Sequence, residues 1–408
     1  MSSILVIERH YPYTGGARTE NYVRLWSAMG WDVRVLTRDP PATPFPLEDL
    51  QGEVPREVEV ERVFAKAPGV RLLRGLWRLF QPPVPDPEWV GPALAAARRW
   101  LDTDPPDLVY SSSPTESAHR IGERLAGTWD RPWVMDVRDL FTQYEGRFGA
   151  VTPLHAAWAR RMEAGWYRDA DLVVVNTPLH LEKLRERFPL PAGKTRVVPN
   201  GYREEDRRSA GMPRPPGPVG PGRPLRLGYL GLLAKRANGW KAVLEGLAGA
   251  RRRGVETVLE IWGPEEPDIE RTARVLRCAD AVCRHAMRPH REAMEELATC
   301  DVLLSATAPG YGHLVPQKLY NYLALDRHIL AMAPADSMPA RIVRTTGAGT
   351  VIDPEASSIA DALERLAGLL DRGDLDPTID EEARREYSRS EHARELSEVF
   401  RTLLDRHG

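Results

Sequence analysis

Cysteine is scarce in this chain. Cys278, Cys283 and Cys300 are the only three in 408 residues, and no two of them form a CxxC pair. That argues against a disulfide-stapled secreted domain and a paired-CxxC zinc site, and it fits a reducing cytoplasm. The plain reading of the three thiols is small, buried apolar residues. No run of 18 apolar residues occurs, so no spanning helix is expected. The opening MSSILVIERHYP lacks the layout of a signal peptide. Neither sign of charge is in excess: 56 Lys plus Arg stand against 58 Asp plus Glu, a formal net charge of −2. This argues against a strongly basic nucleic-acid binder, and no nucleic-acid partner is expected. HExxH, GxSxG and the GK[ST] phosphate loop are absent, and no cluster has metal-ligand spacing, so no metal is expected.

What is there reads as an ordinary globular chain, 42% hydrophobic and 28% charged. At roughly 150 residues per domain the length implies two or three domains. Ile4-Leu5-Val6-Ile7 is a short apolar run of the kind a fully buried strand shows. A glycine-bearing loop follows, then a helical pattern through Tyr22, Leu25, Trp26 and Met29, then a second strand at 32–37. This is the opening of a doubly wound α/β domain. Further strands are expected at 58–64, 108–110, 133–136, 172–175 and 196–199. The segment 65–90 reads as irregular surface. Residues 203–224 are rich in Pro, Gly and charge, and read as a linker or an ordered surface excursion.

The opening theme then returns. A strand at 225–230 runs into Gly231, a helix is expected at 240–250, and more strands at 258–262, 301–304, 329–332 and 349–352. The fold class is therefore α/β, with two Rossmann-like domains of parallel sheet facing a central cleft. The first is expected over 1–202, the second over 225–384, and a closing helix over 385–408 is expected to pack back on the first. Ligands of such sheets bind at the carboxyl ends of the strands.

Several motifs fall at those ends, each with a plainer alternative. Gly15 and Gly16 let the backbone approach a phosphate closely, or make a tight turn. Gly312, Leu314 and Val315 precede a helix that carries Lys318, an arrangement suited to a diphosphate or to an ordinary crossover. Lys235 and Arg236 follow Gly231 and can neutralise a phosphate, or stand solvated. Asp136-Val137-Arg138-Asp139 ends a strand: Arg138 and Asp139 can bind polar substrate groups, with Asp139 able to act as a base, or Arg138 pairs with Asp136 or Asp139 and holds the loop. Ser111-Ser112-Ser113 is read first as a helix cap and second as acceptor lining. His119 is read as packed or exposed. Asn200-Gly201 marks a turn beside the domain junction. RLLRGLWRLF (71–80), with Trp77 and Phe80, is a basic-apolar patch that packs as an amphipathic helix or rests on a bilayer.

Taken in order, these pieces resemble the GT-B glycosyltransferases of the retaining family 4 group. The matching segments are Gly15-Gly16, PWVMDVRDL (132–140), DADLVVVNT (169–177), VVPNGY (197–202), LGYLGLLAK (227–235), PQKLYNYLALDRHILA (316–331), TGAGTVI (346–352) and YSRSEHARELSEVF (387–400). The resemblance implies a transferase that moves a sugar, with retention, from a nucleotide-diphosphate sugar to a glycan, lipid-linked or small-molecule acceptor. It implies no further cofactor. Gly15 and Gly16 would touch the diphosphate, Lys235 or Arg236 would neutralise it, and the backbone after Gly312 would grip phosphates and sugar. Arg288 and Gly263 would flank the nucleoside. The family's usual pair of glutamates is replaced here by His313 and Asn321. His313 would meet sugar hydroxyls, and Asn321 would accept from the ribose through its amide oxygen. Two alternatives stand beside this reading: a sugar-nucleotide epimerase of the same fold, and a catalytically silent partner subunit. The expected setting is the cytoplasm, with peripheral contact at the inner membrane face as one form of it.

Overall fold

The computed structural model describes residues 2–12, 18–40, 54–66, 77–101, 103–143, 152–209, 212–213, 217, 219–220, 223–234, 239–307 and 310–407. The chain divides into two compact units, residues 1–199 with 392–408, and residues 200–391. Each is built on one parallel sheet.

The first unit holds strands β1 (Ser3–Ile7), β2 (Asp32–Arg38), β3 (Glu59–Val63), β4 (Leu108–Ser112), β5 (Trp133–Val137), β6 (Leu172–Val175) and β7 (Thr195–Val197). Their order across the sheet is β3-β2-β1-β4-β5-β6-β7. Alternate residues of a strand face opposite sides. Leu5 and Ile7 thus enter a core with Trp89, Ala93 and Ile121, from helices Pro87–Leu101 and Ser117–Trp129. Ile4 and Val6 enter a second core with Trp26, Tyr110 and Phe400. Burial on both faces is why these strands read as unbroken apolar runs. The last helix, Arg389–His407, closes the second core. Trp26 Nε1 donates to the Ala393 carbonyl at 3.0 Å and Trp31 Nε1 to Ser397 Oγ at 2.8 Å.

The second unit holds β8 (Leu225–Leu230), β9 (Thr257–Trp262), β10 (Val282–His285), β11 (Val302–Ala306), β12 (His328–Met332) and β13 (Gly349–Ile352), in the order β10-β9-β8-β11-β12-β13. Strand β10 was not expected from the sequence. It is an edge strand, Val-Cys-Arg-His, with no residue fully buried, so it carries no apolar run. Cys278 and Cys300 are buried, but Cys283, on that strand, is exposed. The described part of 203–224 is no loose tether. It holds a 3-10 helix, Glu204–Ser209, whose buried Asp206 accepts from His290 Nε2 at 3.0 Å. Arg223 forks onto Asp301 with two bonds of 2.7 Å. No helix among the described residues is long and apolar enough to cross a membrane.

Two local expectations are corrected. Asp136 does not pair with Arg138. It lies inside β5, opposite Ser112 of β4, and is fully buried. It accepts from Tyr110 Oη at 2.7 Å and Ser112 Oγ at 2.9 Å, and its cation is Arg18, 3.1 Å away at the start of helix Arg18–Ala28. Arg18 also donates to the carbonyls of Val198 and Pro199. Arg138 lies past the strand end and turns instead to the Ser113 carbonyl. The serines do not cap the next helix either. The cap residue of Ser117–Trp129 is Glu116, which makes no side-chain cap bond. Ser111 takes the Trp133 indole N–H at 2.9 Å and meets His119 Nδ1 at 2.9 Å. Burial holds His119 neutral, its pKa pushed down to about 3.

Removing one partner of a buried ion pair strands the other charge without solvent. Asp136→Asn should therefore destabilise the first unit by about 3–5 kcal/mol in urea unfolding at neutral pH. A loss below about 1 kcal/mol would show that Arg18 finds compensation elsewhere.

Candidate functional site

A doubly wound sheet opens a crevice where its strand order reverses, at the carboxyl ends of the two strands flanking the reversal. In the second unit those strands are β8 and β11. Gly231 leaves β8 in the left-handed region, at φ +94°, which favours glycine. Its amide donates to the Trp262 carbonyl at 2.7 Å. Gly263 leaves β9 beside it, so close that a Cβ there would stand 2.8 Å from the Gly231 carbonyl oxygen. Only a residue without a side chain fits that approach without movement of backbone. The buried Glu266 carboxylate then ties the loop down, accepting from the Leu233 amide at 2.7 Å and the Ala234 amide at 2.9 Å.

Lys318 reaches this loop from the helix Gln317–Leu323, which follows β11. Its Nζ lies 3.6 Å from the centre of the Tyr229 ring and 4.0 Å from where a Gly231 Cβ would be. The ring face attracts the ammonium, so the cation is held at the reversal point beside bare backbone. A small anion with several oxygens, such as a phosphate, suits that combination.

The other residues picked from the sequence are placed as follows. Lys235 and Arg236 lie outside the described residues. Gly312 and Leu314 spend polar groups internally: the Gly312 carbonyl accepts from the Met338 amide at 2.7 Å, and the Leu314 amide donates to Tyr311 at 2.9 Å. His313 and Val315 are buried. The helix after them has only seven residues, so its dipole adds little, and the local positive charge is that of Lys318. Asn321 sits one turn beyond Lys318, buried, with its amide oxygen accepting from Gln317 Nε2 at 3.1 Å. Arg288 is half exposed, 3.6 Å from Glu296, and Glu296 also takes the indole N–H of Trp262. Trp262 stacks on His285 with ring centres 4.5 Å apart. Thus Gly231, Gly263 and Lys318 converge. Arg288 lies past the end of β10, linked to β9 through Glu296.

In the first unit the reversal falls between β1 and β4. Gly15 and Gly16 lie outside the described residues. Arg138, past the end of the neighbouring β5, is held by its amide on Ser113 Oγ at 2.9 Å and by Asn176, which donates to its carbonyl at 2.8 Å. Asp139 is next to it and half buried. Glu8, which the sequence reading did not select, immediately follows β1 and is buried. Burial pushes its pKa up to about 7, against the opposing pull of Arg138 and the His10 amide, which donates to it at 3.0 Å. The signal was present in the sequence: Glu8 is the first charge after the apolar run at 4–7. Glu266 gave no signal, because its role depends on which amides a distant loop turns toward it. No group of three or more His, Cys, Asp or Glu side chains among the described residues is placed to hold a metal ion.

Comparison with known proteins bears on the fold and on the first domain. Residues 14–201 match the profile of the glycosyl transferase 4-like domain. No curated protein sequence matches the chain. Among solved structures, sucrose-phosphate synthase from Thermosynechococcus elongatus superposes with a TM-score of 0.66 at 16% identity, over 99% of this chain and 100% of that one. The Anabaena protein HepE, solved with UDP and glucose, gives 0.65 at 14% identity, over 98% and 100%. A glycosyltransferase from Rickettsia africae gives 0.62 at 13% identity, over 99% and 98%. At such identities the likeness is one of fold, two Rossmann-like domains of parallel sheet, and the family profile adds the chemistry. The chain as a whole has the GT-B fold, and its residues 14–201 form a glycosyl transferase 4-like domain.

Proposed function

We propose that the second unit binds the diphosphate of a nucleotide-diphosphate sugar and that the sugar passes, with retention, to a hydroxyl held by the first unit. The observation that carries this reading is the Lys318 ammonium, seated on Tyr229 beside the bare Gly231–Gly263 backbone. As the glycosidic bond to phosphate breaks, negative charge grows on the departing diphosphate. A preplaced cation stabilises that charge without reorganising. HepE, of the same fold, was solved with UDP and with UDP-glucose, which supports a uridine donor as the first to test. Gly263 and Arg288 are the residues assigned to the nucleoside side. His313 and Asn321 remain assigned to sugar and ribose, and neither supplies the negative charge of a glutamate.

On the acceptor side Glu8, Arg138 and Asp139 stand at the carboxyl edge of the first sheet. A carboxyl beside a guanidinium can orient a sugar hydroxyl by accepting its proton in a hydrogen bond. Retention follows from the resemblance to family 4, and the anomeric configuration of the product decides it.

The donor reading predicts that one or more of UDP-, GDP- and dTDP-sugars raises the melting temperature of the whole chain, since a ligand that binds only the folded form stabilises it. Lys318→Met should abolish most of that rise and lower turnover roughly 10²–10³-fold. An unchanged donor shift in that variant would remove Lys318 from the site. A second prediction concerns Glu8. Its folded carboxyl keeps its proton up to about pH 7, whereas the unfolded one loses it near 4.5. Its contribution to stability is therefore full below pH 4.5 and is lost as pH rises through 7. Glu8→Gln, uncharged throughout, should match the wild type in urea unfolding near pH 4.5 and exceed it by on the order of 3 kcal/mol at pH 8.5. An offset that does not change with pH would contradict this.

A further inference from the structure

The helix Pro153–Asp169 in the first unit has an unusual outer face. Its inner face is ordinary: His155, Ala159, Met162, Glu163 and Trp166 are buried. A water-facing stripe on the other side should be polar. Instead Leu154 is 84% exposed and Trp158 39% exposed, with exposed Ala157 on the same stripe. A second piece of chain extends this surface. His155 Nε2 meets the Gln81 carbonyl at 3.0 Å, which sets Leu79 and Phe80 beside the first turn of the helix. Phe80 is 81% exposed and Leu79 41%. Four large apolar side chains therefore protrude from one small region.

The exposed charges of the helix before its last turn are of one sign. Arg160 and Arg161 are exposed and make no ion pair among the described residues. The acidic residues of the same helix do not oppose them. Glu163 points inward and takes the hydroxyls of Thr142 and Tyr167. Asp169 is at the far end, bound by Arg168 at 2.8 Å. The segment 77–83 contains no acid.

We propose that this face docks on an anionic lipid surface. Leucine and aromatic side chains that stand out from a helix, flanked by arginines, suit shallow insertion at the headgroup boundary with the guanidiniums on lipid phosphates. The side chains protrude rather than line a groove, which fits a deformable interface. A two-fold pair of such faces would set Arg160 and Arg161 against their own copies, which like charge disfavours. The helix follows β5 and so begins at the carboxyl edge of the sheet, the edge that holds Glu8 and Arg138. Docking would then bring that edge to the bilayer, and, resting on the transfer reading above, would favour an acceptor carried in the membrane.

The test is flotation of the full chain with vesicles of phosphatidylcholine alone and with about 30% phosphatidylglycerol, at about 50 mM and about 500 mM NaCl. The protein should float with the anionic vesicles at low salt and fall away at high salt. Arg160→Gln with Arg161→Gln should weaken binding roughly tenfold to thirtyfold, and Leu154→Ser with Phe80→Ser should abolish it. Both pairs are surface changes, so the melting temperature and any donor-induced shift should stay as in the wild type, which separates this result from the fate of the donor site. Failure to float with anionic vesicles overturns the proposal, as does flotation indifferent to both variant pairs. A dimer in light scattering that the same substitutions break, without flotation, would assign the face to a second copy instead.

Discussion

Parallel strands buried on both faces leave almost no room for polar chemistry except at their ends. Both units of this chain obey that constraint. In the first sheet the two cores take up alternate residues of every central strand, and in the second the strands β8, β11 and β12 are largely buried. Ionisable groups inside the sheet must then be neutralised in place, as Asp136 is by Arg18. Groups just beyond the strand ends are free of that demand. Lys318, Glu8, Arg138 and Asp139 all lie in this second class, and the strand reversals decide where they gather.

The loop around Gly231 shows how such a place is made rigid before any ligand arrives. Two strand ends approach until backbone touches backbone, a carboxylate fastens the turn, and an aromatic ring seats the lysine. None of these contacts is large alone. On the transfer reading, their value is that the ammonium and the bare peptide face the same spot without having to be recruited, which is what stabilising a departing anion requires. Glu266 is the part of this arrangement that does no binding itself. It spends the Leu233 and Ala234 amides, so those two donors are not offered to a ligand.

The fold was largely readable because its grammar is local. Ile4–Ile7, Leu172–Val175 and Leu225–Leu230 are apolar runs whose length and punctuation identify buried strands. Strand β10 was not readable, since an edge strand of Val-Cys-Arg-His has nothing to bury on one side. The site was readable in part. Gly231 stands next to a strand end in the sequence itself, and Lys318 stands in the first turn of the helix that follows β11. The partner of Asp136 was missed because the nearest arginine in sequence, Arg138, is past the strand end, whereas Arg18 comes from another crossover. Glu8 was missed although it is the first charge after the apolar run at 4–7, because that position alone does not state what folds over the carboxyl and buries it.

The exposed edge strand offers a practical opening. Of the chain's three thiols, two are enclosed in the core and only Cys283 meets solvent. A maleimide dye would thus attach to the native protein at one address without mutagenesis. That address is two residues before His285, the ring on which Trp262 stacks. The natural sequence thereby carries its own reporter position at the edge of the second sheet.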